Sequence, residues 1–433
     1  MTLDYAAALA ALQSLEGRGM RLGLDRTTAL LNALGNPHRG LRGALVAGTN
    51  GKGSVCALVE SMARAAGLRT VMLTKPHLLS WCERIAVDGV PIPQQRFADL
   101  VATVLAAAAT LEGDLALPTV FEVLTAAGLL AARQAEPDVL VCEVGLGGRL
   151  DSTNVVDLGV AVVTGIALDH RQQLGDDIAG IAAEKAGILK TGNDVVTAAT
   201  GVALEVIRAT AERVGTRPVT AVGTELPWRG EVRGRGGVAV DLEEPPVHLE
   251  SPLIGRFQER NLAVAAYVAR ALRGRGTLIP EAAIVAGART VRWPGRMQWI
   301  DGRPALLVDG CHNAEAVGAM VEAAAPLCSG THAVMLFGAM ADKDTSAMLD
   351  ALRPFGGEMV FTQPAGSRAA SARDLAAAWG RGARVTATVA EGVAVARELA
   401  GAEGVVVAGG SLYLAGEVLE VAGGVTGDPW IAG

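Results

Sequence analysis

The chain has 433 residues, half of them apolar and only 3% aromatic, so a large core built from Ala, Val and Leu is within reach, and two or three domains are expected at roughly 100–200 residues each. A formal net charge of −7 without any Lys/Arg run excludes the electrostatic footprint of a nucleic-acid binder. Five scattered cysteines (Cys56, Cys82, Cys142, Cys311 and Cys328) exclude a disulfide framework or a CxxC metal site and fit reduced thiols in a cytoplasmic protein.

The N-terminal MTLDYAAALAALQSLEGRG carries acids and reads as a helix, not a signal peptide. No uncharged apolar stretch of about 18 residues occurs, so no membrane span is expected. The first strand, ALVAG (44–48), opens into LVAGTNGKGSV (45–55). A phosphate loop needs glycines for close backbone approach, a helix N-terminus, a Lys and a hydroxyl. Gly48, Gly51 and Gly53, Lys52, Ser54 and the following CALVESMARAAG meet each requirement. The spacing departs from G-x-x-x-x-G-K-[ST], and a glycine-rich turn with an exposed Lys is the plainer alternative.

TVMLT (70–74) is the next strand, followed by KPHLLS. DVLVCEVG (138–145) places Glu143 at a strand end, where a carboxylate either faces solvent or is paired or metal-bound. The glycines at 145, 147 and 148 resemble a dinucleotide fingerprint, but no helix opens there, so a nicotinamide site is rejected. VAVVTGIALDH (160–170) closes on His170, alone an ordinary hydrogen-bonding residue. With Glu143 on a neighbouring strand it would form a divalent-cation site. In IAAEKAGILK (181–190), Lys185 reads by pattern as a surface lysine.

Residues 216–250 are rich in Gly, Pro and β-branched types and predict hairpins. Helical periodicity resumes over 256–272, and the chain leaves its first unit near Trp293–Pro294–Gly295. ALLVDG, HAVMLFG, EMVFTQ and VVVAGGS then alternate with helices. Tight strand-to-helix turns carry Asp309, His312 and Asn313, then Asp342, Lys343 and Asp344, then Ser411. The expected fold class is α/β: a large N-terminal P-loop-type domain with a mostly parallel sheet (1–293) and a smaller C-terminal Rossmann-like α/β domain (294–433). Ligands in such sheets bind at the carboxyl ends of the strands.

AGTNGKGS (47–54), PHLLSWCERIAVDG (76–89), PTVFEVLTAAGL (118–129), EVGLGGRLDSTN (143–154), EKAGI (184–188), GRFQERN (255–261), WPGR (293–296), VDGCHN (308–313), GAMADKD (338–344) and GSLYLAGEV (410–418) together carry a resemblance. The sequence resembles the folylpolyglutamate synthase and dihydrofolate synthase family of Mur-type ATP-dependent amide ligases. That resemblance implies ATP, Mg²⁺, L-glutamate and a folate-type acid as ligands, and an acyl-phosphate intermediate. A cytoplasmic monomer with no nucleic-acid or membrane partner is expected, its location and lack of such partners from the charge, cysteine usage and apolar patterning above. The resemblance implies that Gly48, Thr49, Asn50, Gly51, Lys52, Gly53 and Ser54 bind phosphate, with Gln258, Asn261, Arg296, Asp309 and His312 also facing nucleotide. Ser54, Glu143 and His170 are the implied Mg²⁺ ligands, with Lys185 joining them as a carbamate. Lys52, His170, Lys185, Asp309 and His312 are the implied catalytic set.

Three departures stand out. Lys75–Pro76–His77 replaces the family's Ser-Pro-His, DGCHNA replaces Asp-Gly-Ala-His-Asn-Pro, and RQQLG follows LDH. They open two alternatives: the same ligase chemistry on a non-folate acid, or a weakly catalytic nucleotide-binding partner subunit.

Overall fold

The structure is a computed structural model that describes residues 3–15, 23–168, 175, 177–380, 382–424 and 427–428. The apolar runs form the strands; the central ones are buried on both faces, as parallel sheets require, while the edge strands are mostly exposed or half-buried. In chain order these are β1 (Gly43–Ala47), β2 (Thr70–Leu73), β3 (Ile85–Val87), β4 (Val90–Pro91), β5 (Val139–Glu143), β6 (Gly159–Val163), β7 (Asp194–Thr197) and β8 (Val219–Ala221). They make one sheet in the order β4-β3-β2-β5-β1-β6-β7-β8. Pairings from β2 through β8 are parallel, while β3 runs antiparallel to β2 and β4 antiparallel to β3.

Side chains alternate across this sheet. Leu45 and Ala47 enter one core with Leu73, Leu140 and Val163. Ala44 and Val46 enter the other with Val141 and Val162. In the second core lies the buried helix Lys52–Ala65, crossed by the helix Glu281–Thr290. Gly287 makes that crossing possible, since a Cβ there would lie 2.3 Å from Met62 Cα. Ser61 Oγ fixes the contact by donating to Gly287 O at 2.8 Å.

The Gly/Pro-rich stretch becomes a three-stranded antiparallel sheet, β9 (Trp228–Val232), β10 (Val238–Glu243) and β11 (Pro246–Ser251). It packs on the helix Phe257–Gly274. Only part of 216–250 forms hairpins, because Val219–Ala221 joins the large sheet as β8.

The last sheet comprises β12 (Gln298–Ile300), β13 (Ala305–Val308), β14 (Ala333–Phe337), β15 (Glu358–Phe361), β16 (Arg384–Val385) and β17 (Val405–Gly409). Its order is β12-β13-β17-β14-β15-β16, parallel except for β12. Among the described residues no helix is long and apolar enough to cross a membrane.

Two expectations about His170 change. The strand expected over 160–170 ends at Val163, because the polar Thr164 turns toward the neighbouring loop and donates to Asn50 O at 2.8 Å. Strands β5 and β6 are not neighbours; both flank β1. His170 itself lies outside the described residues.

Candidate active site

The chain turns to opposite sides of β1, with β5 on one flank and β6 on the other. A crevice at the carboxyl end of β1 follows from that switch. Here the loop 48–51 joins β1 to the helix Lys52–Ala65. Gly48 has φ +143° and Gly51 φ +88°. A Cβ on Gly48 would lie 1.8 Å from Thr164 Oγ1, and one on Gly53 2.8 Å from the Trp293 ring. The glycines are therefore dictated by close packing as well as by backbone conformation.

Lys52 Nζ donates to Gly48 O at 3.0 Å and Thr49 O at 2.9 Å. Its ammonium thus stands beside the first amides of a helix, where an anion is favoured by both the free N–H groups and the dipole. Thr49 Oγ1 ties the loop to the segment after β6 by donating to Ala167 O at 3.1 Å. Ser54 is buried and accepts from Gln258 Nε2 at 3.3 Å.

Lys185 is not a surface lysine: it is only 5% exposed, and its Nζ donates to Gly48 O at 2.9 Å. The alanines around it are core-facing, so its helix (Ile178–Ala186) turns the ammonium inward. Gly148 allows this approach, since a Cβ there would lie 2.7 Å from Glu184 O. The Lys52 and Lys185 ammonium groups share one carbonyl.

Glu143 ends β5, level with Val46 of β1. It is 4% exposed and accepts from the Lys75 N–H at 3.1 Å. Burial pushes its carboxyl up, and Lys52, the Lys75 amide and Arg296 oppose that push. The solvent-facing alternative for Glu143 is excluded by this burial. Ser54 and Glu143 face one cavity with oxygen ligands suited to a hard divalent cation. Among the described residues no cluster of three or more His, Cys, Asp or Glu would hold a metal alone.

The second sheet supplies the opposite wall. Asp309 follows β13 and accepts from the Met297 and Cys311 amides, both at 2.8 Å. Burial pushes its carboxyl up, opposed by Arg296. Arg296 Nη1 donates to Gly310 O at 3.3 Å, and His312 Nδ1 lies 3.2 Å from the same oxygen. Asn50 of the first loop bridges to this wall: Asn313 Nδ2 donates to Asn50 Oδ1 at 3.1 Å, and Asn50 Nδ2 donates to Glu315.

The cavity between these walls has a volume of about 360 Å³. Residues 48–54, Glu143, Lys185, Asn261, Arg296, Asp309 and His312 all line it. Gln258 does not. It is fully buried behind the wall, held between Ser54 and Asn261, whose Nδ2 donates to Gln258 Oε1 at 2.8 Å. The spacing explains this: Gln258 and Asn261 lie one helical turn apart, so one supports the other. Arg260, Glu315, Arg368 and Tyr413 also line the cavity and were not singled out from sequence. Arg260 sits within GRFQERN, but Arg368 lies in a loop with no pattern to mark it.

The arrangement offers a helix N-terminus suited to a polyanion, oxygen ligands suited to a cation beside it, and a second sheet that completes the chamber. Two family models match the chain. Residues 46–269 match the Mur ligase middle domain, and residues 295–412 match the Mur ligase glutamate ligase domain. The chain is similar to a probable bifunctional folylpolyglutamate synthase/dihydropteroate synthase of Halobacterium salinarum, with 37% identity over 96% of this chain. It spans only about half of that relative, 51% of its length. The dihydrofolate synthase/folylpolyglutamate synthase of Escherichia coli is 32% identical, over 96% of this chain and 95% of that protein. The E. coli FolC structure in complex with DHPP and ADP superposes with a TM-score of 0.88, at 31% identity and 98% coverage of both chains. The chain belongs to the folylpolyglutamate synthase and dihydrofolate synthase family of Mur ligases.

Proposed function

We propose that this protein is an ATP-dependent ligase that joins L-glutamate to a folate-type carboxylate. The observation that carries the reading is the convergence of the phosphate loop, Glu143 and the Asp309–His312 turn on one cavity between two sheets. The acid's carboxylate oxygen attacks the γ-phosphorus of ATP, and the bond to the bridging oxygen breaks as ADP leaves. The neutral amine of glutamate then attacks the acyl carbon. Phosphate departs and takes the amine proton.

Each step asks for something these residues offer. Two anions must meet, so positive charge has to be fixed around the transferred phosphoryl group. Lys52 and the amides of residues 51–54 hold the β- and γ-phosphates. Ser54 and Glu143 would hold a divalent ion, which would neutralise phosphate charge. Lys185 would join them as a carbamate, and His170 belongs to the same proposed set. Asn261, Arg296, Asp309 and His312 face the nucleotide, with Gln258 positioning Ser54 and Asn261. Asn50, bridged to Asn313 and Glu315, couples the chamber's two walls, so their approach gates the reaction.

Two units meeting near residues 293 and 294, acting as a monomer in the cytoplasm, complete the reading. Free cysteines at 56, 82, 142, 311 and 328 support the compartment.

The test is ADP release from purified protein given ATP, Mg²⁺ and L-glutamate, with dihydropteroate in one reaction and tetrahydrofolate in another. Release matched by a product one glutamate heavier is expected. No release with either acid, from protein that binds ATP, overturns the reading.

A further inference from the structure

The carboxyl ends of β1, β5 and β2 stand in a row, because these three strands are adjacent. They carry the phosphate loop, then Glu143, then Lys75. Neighbouring strands are about 4.8 Å apart, so Lys75 starts roughly 10 Å from the loop. The row alternates in charge: Lys52 beside the loop, the Glu143 carboxylate, the Lys75 ammonium.

Lys75 is built into this place. Its main-chain N–H donates to Glu143 Oε2 at 3.1 Å. Its ammonium lies 3.8 Å from the centroid of the Phe121 ring and 3.5 Å from Thr125 Oγ1. The aromatic face tolerates a cation but does not neutralise it. Among the described residues no carboxylate forms an ion pair with it. The acids whose charge reaches it, Asp151 and then Glu143, accept from main-chain amides and not from its ammonium. Asp151 accepts from the amides of Gly145 at 3.0 Å, Leu146 at 2.9 Å and Thr153 at 2.9 Å. Lys75 lines the large cavity and also a small one shared with Arg84, Thr125 and Thr153. A lysine in a cavity lining, its ammonium desolvated and in direct contact with no carboxylate, suits an anion.

We propose that Lys75 binds the reacting carboxylate of the acid substrate. This rests on the ligase reading and deepens it. A phosphoryl group on the loop and a carboxylate on Lys75 flank the cation position at Glu143. Lys75 thus offsets the repulsion between the two anions and sets the carboxylate's approach. It also makes the acid end of the chamber demand a negative charge.

The experiment is equilibrium binding of dihydropteroate and of tetrahydrofolate to the full chain loaded with Mg²⁺ and AMPPNP. Wild type, Lys75→Met and Lys75→Arg are compared, and AMPPNP affinity reports that each variant is folded. A charge-assisted contact predicts affinity for the acid at least about tenfold weaker in Lys75→Met, with substantial retention in Lys75→Arg. Dihydropteroate carboxamide, lacking the charge, should bind wild type and Lys75→Met alike, which a merely structural role would not produce. Equal binding of dihydropteroate by wild type and Lys75→Met overturns the Lys75 assignment and leaves the ligase reading standing. Binding gained only when Lys75 is removed makes it an excluder and overturns the assignment too. Absence of acid binding in wild type and both variants overturns both.

Discussion

Gly51→Ala tests whether the loop geometry serves nucleotide binding. Gly51 precedes the first helical residue at φ +88°, and an Ala Cβ would fall 2.4 Å from Asn261 Oδ1. Left-handed backbone costs an L-residue about 1–2 kcal/mol. Moving Asn261 away breaks its hydrogen bond to Gln258, about 1 kcal/mol more. The strain is therefore about 2–3 kcal/mol, which a domain with 5–15 kcal/mol of stability survives. That strain must emerge somewhere. If the loop keeps its shape, unfolding stability falls by the whole amount. If the loop relaxes, stability recovers and nucleotide binding weakens, by up to about 30- to 150-fold at 1.4 kcal/mol per decade. Urea unfolding and calorimetric AMPPNP titration together measure both parts, and their sum is the prediction. Gly67→Ala is the control: its φ is +77°, nothing lies within 4 Å of its Cβ, and it sits beyond the other end of the same helix. It should lose stability only. If Gly51→Ala matches wild type within about 0.5 kcal/mol in both measurements, the loop reading is wrong.

Lys52→Ala should abolish ATP turnover with an unchanged fold; wild-type-like ADP release would sink the phosphate-loop assignment. Lys185→Ala should lose activity that added short carboxylates partly restore, and full activity without them would dismiss the carbamate. Asn50→Ala removes the bridge to Asn313 and Glu315 and should lower kcat by about tenfold or more if wall closure limits the rate, checked by steady-state kinetics. His77 is a buried neutral imidazole, its Nδ1 accepting from Arg84 Nε at 2.9 Å, and burial with the nearby arginine drives its pKa down to about 2. Its folded value is depressed, so the unfolded chain takes up the proton first. Stability contributed by His77 is complete above about pH 6.5 and lost as pH falls toward 2, by about 1.4 kcal/mol per unit. In His77→Asn the stability–pH slope between pH 6 and 4 should flatten by that amount; an unchanged slope refutes the assignment.

Much of this architecture was written locally. The apolar runs at 44–48, 70–74, 138–145 and 195–200 became β1, β2, β5 and β7, because a strand buried on both faces leaves no polar alternation to confuse the reading. The loop 48–54 was legible for the same local reason: glycines, cation and hydroxyl lie on consecutive residues. The short edge strands β4, β12 and β16 were not legible, since two or three exposed or half-buried residues leave no periodic signal.

What the sequence by itself determined was a set of strand ends, each carrying its own chemistry. It could not decide which ends meet. Lys185 read as a surface residue because an alanine-rich helix marks no face, and only packing turned its ammonium onto Gly48 O. Gln258 looked like a ligand contact until the fold placed it behind Ser54. Arg368 and Tyr413 reach the cavity from residues more than 300 positions beyond the loop they face. Strand order is the physical reason: it brings the ends of β1, β5 and β2 side by side, and that long-range pairing is fixed by the cores on both faces of the sheet, not by any residue near the site.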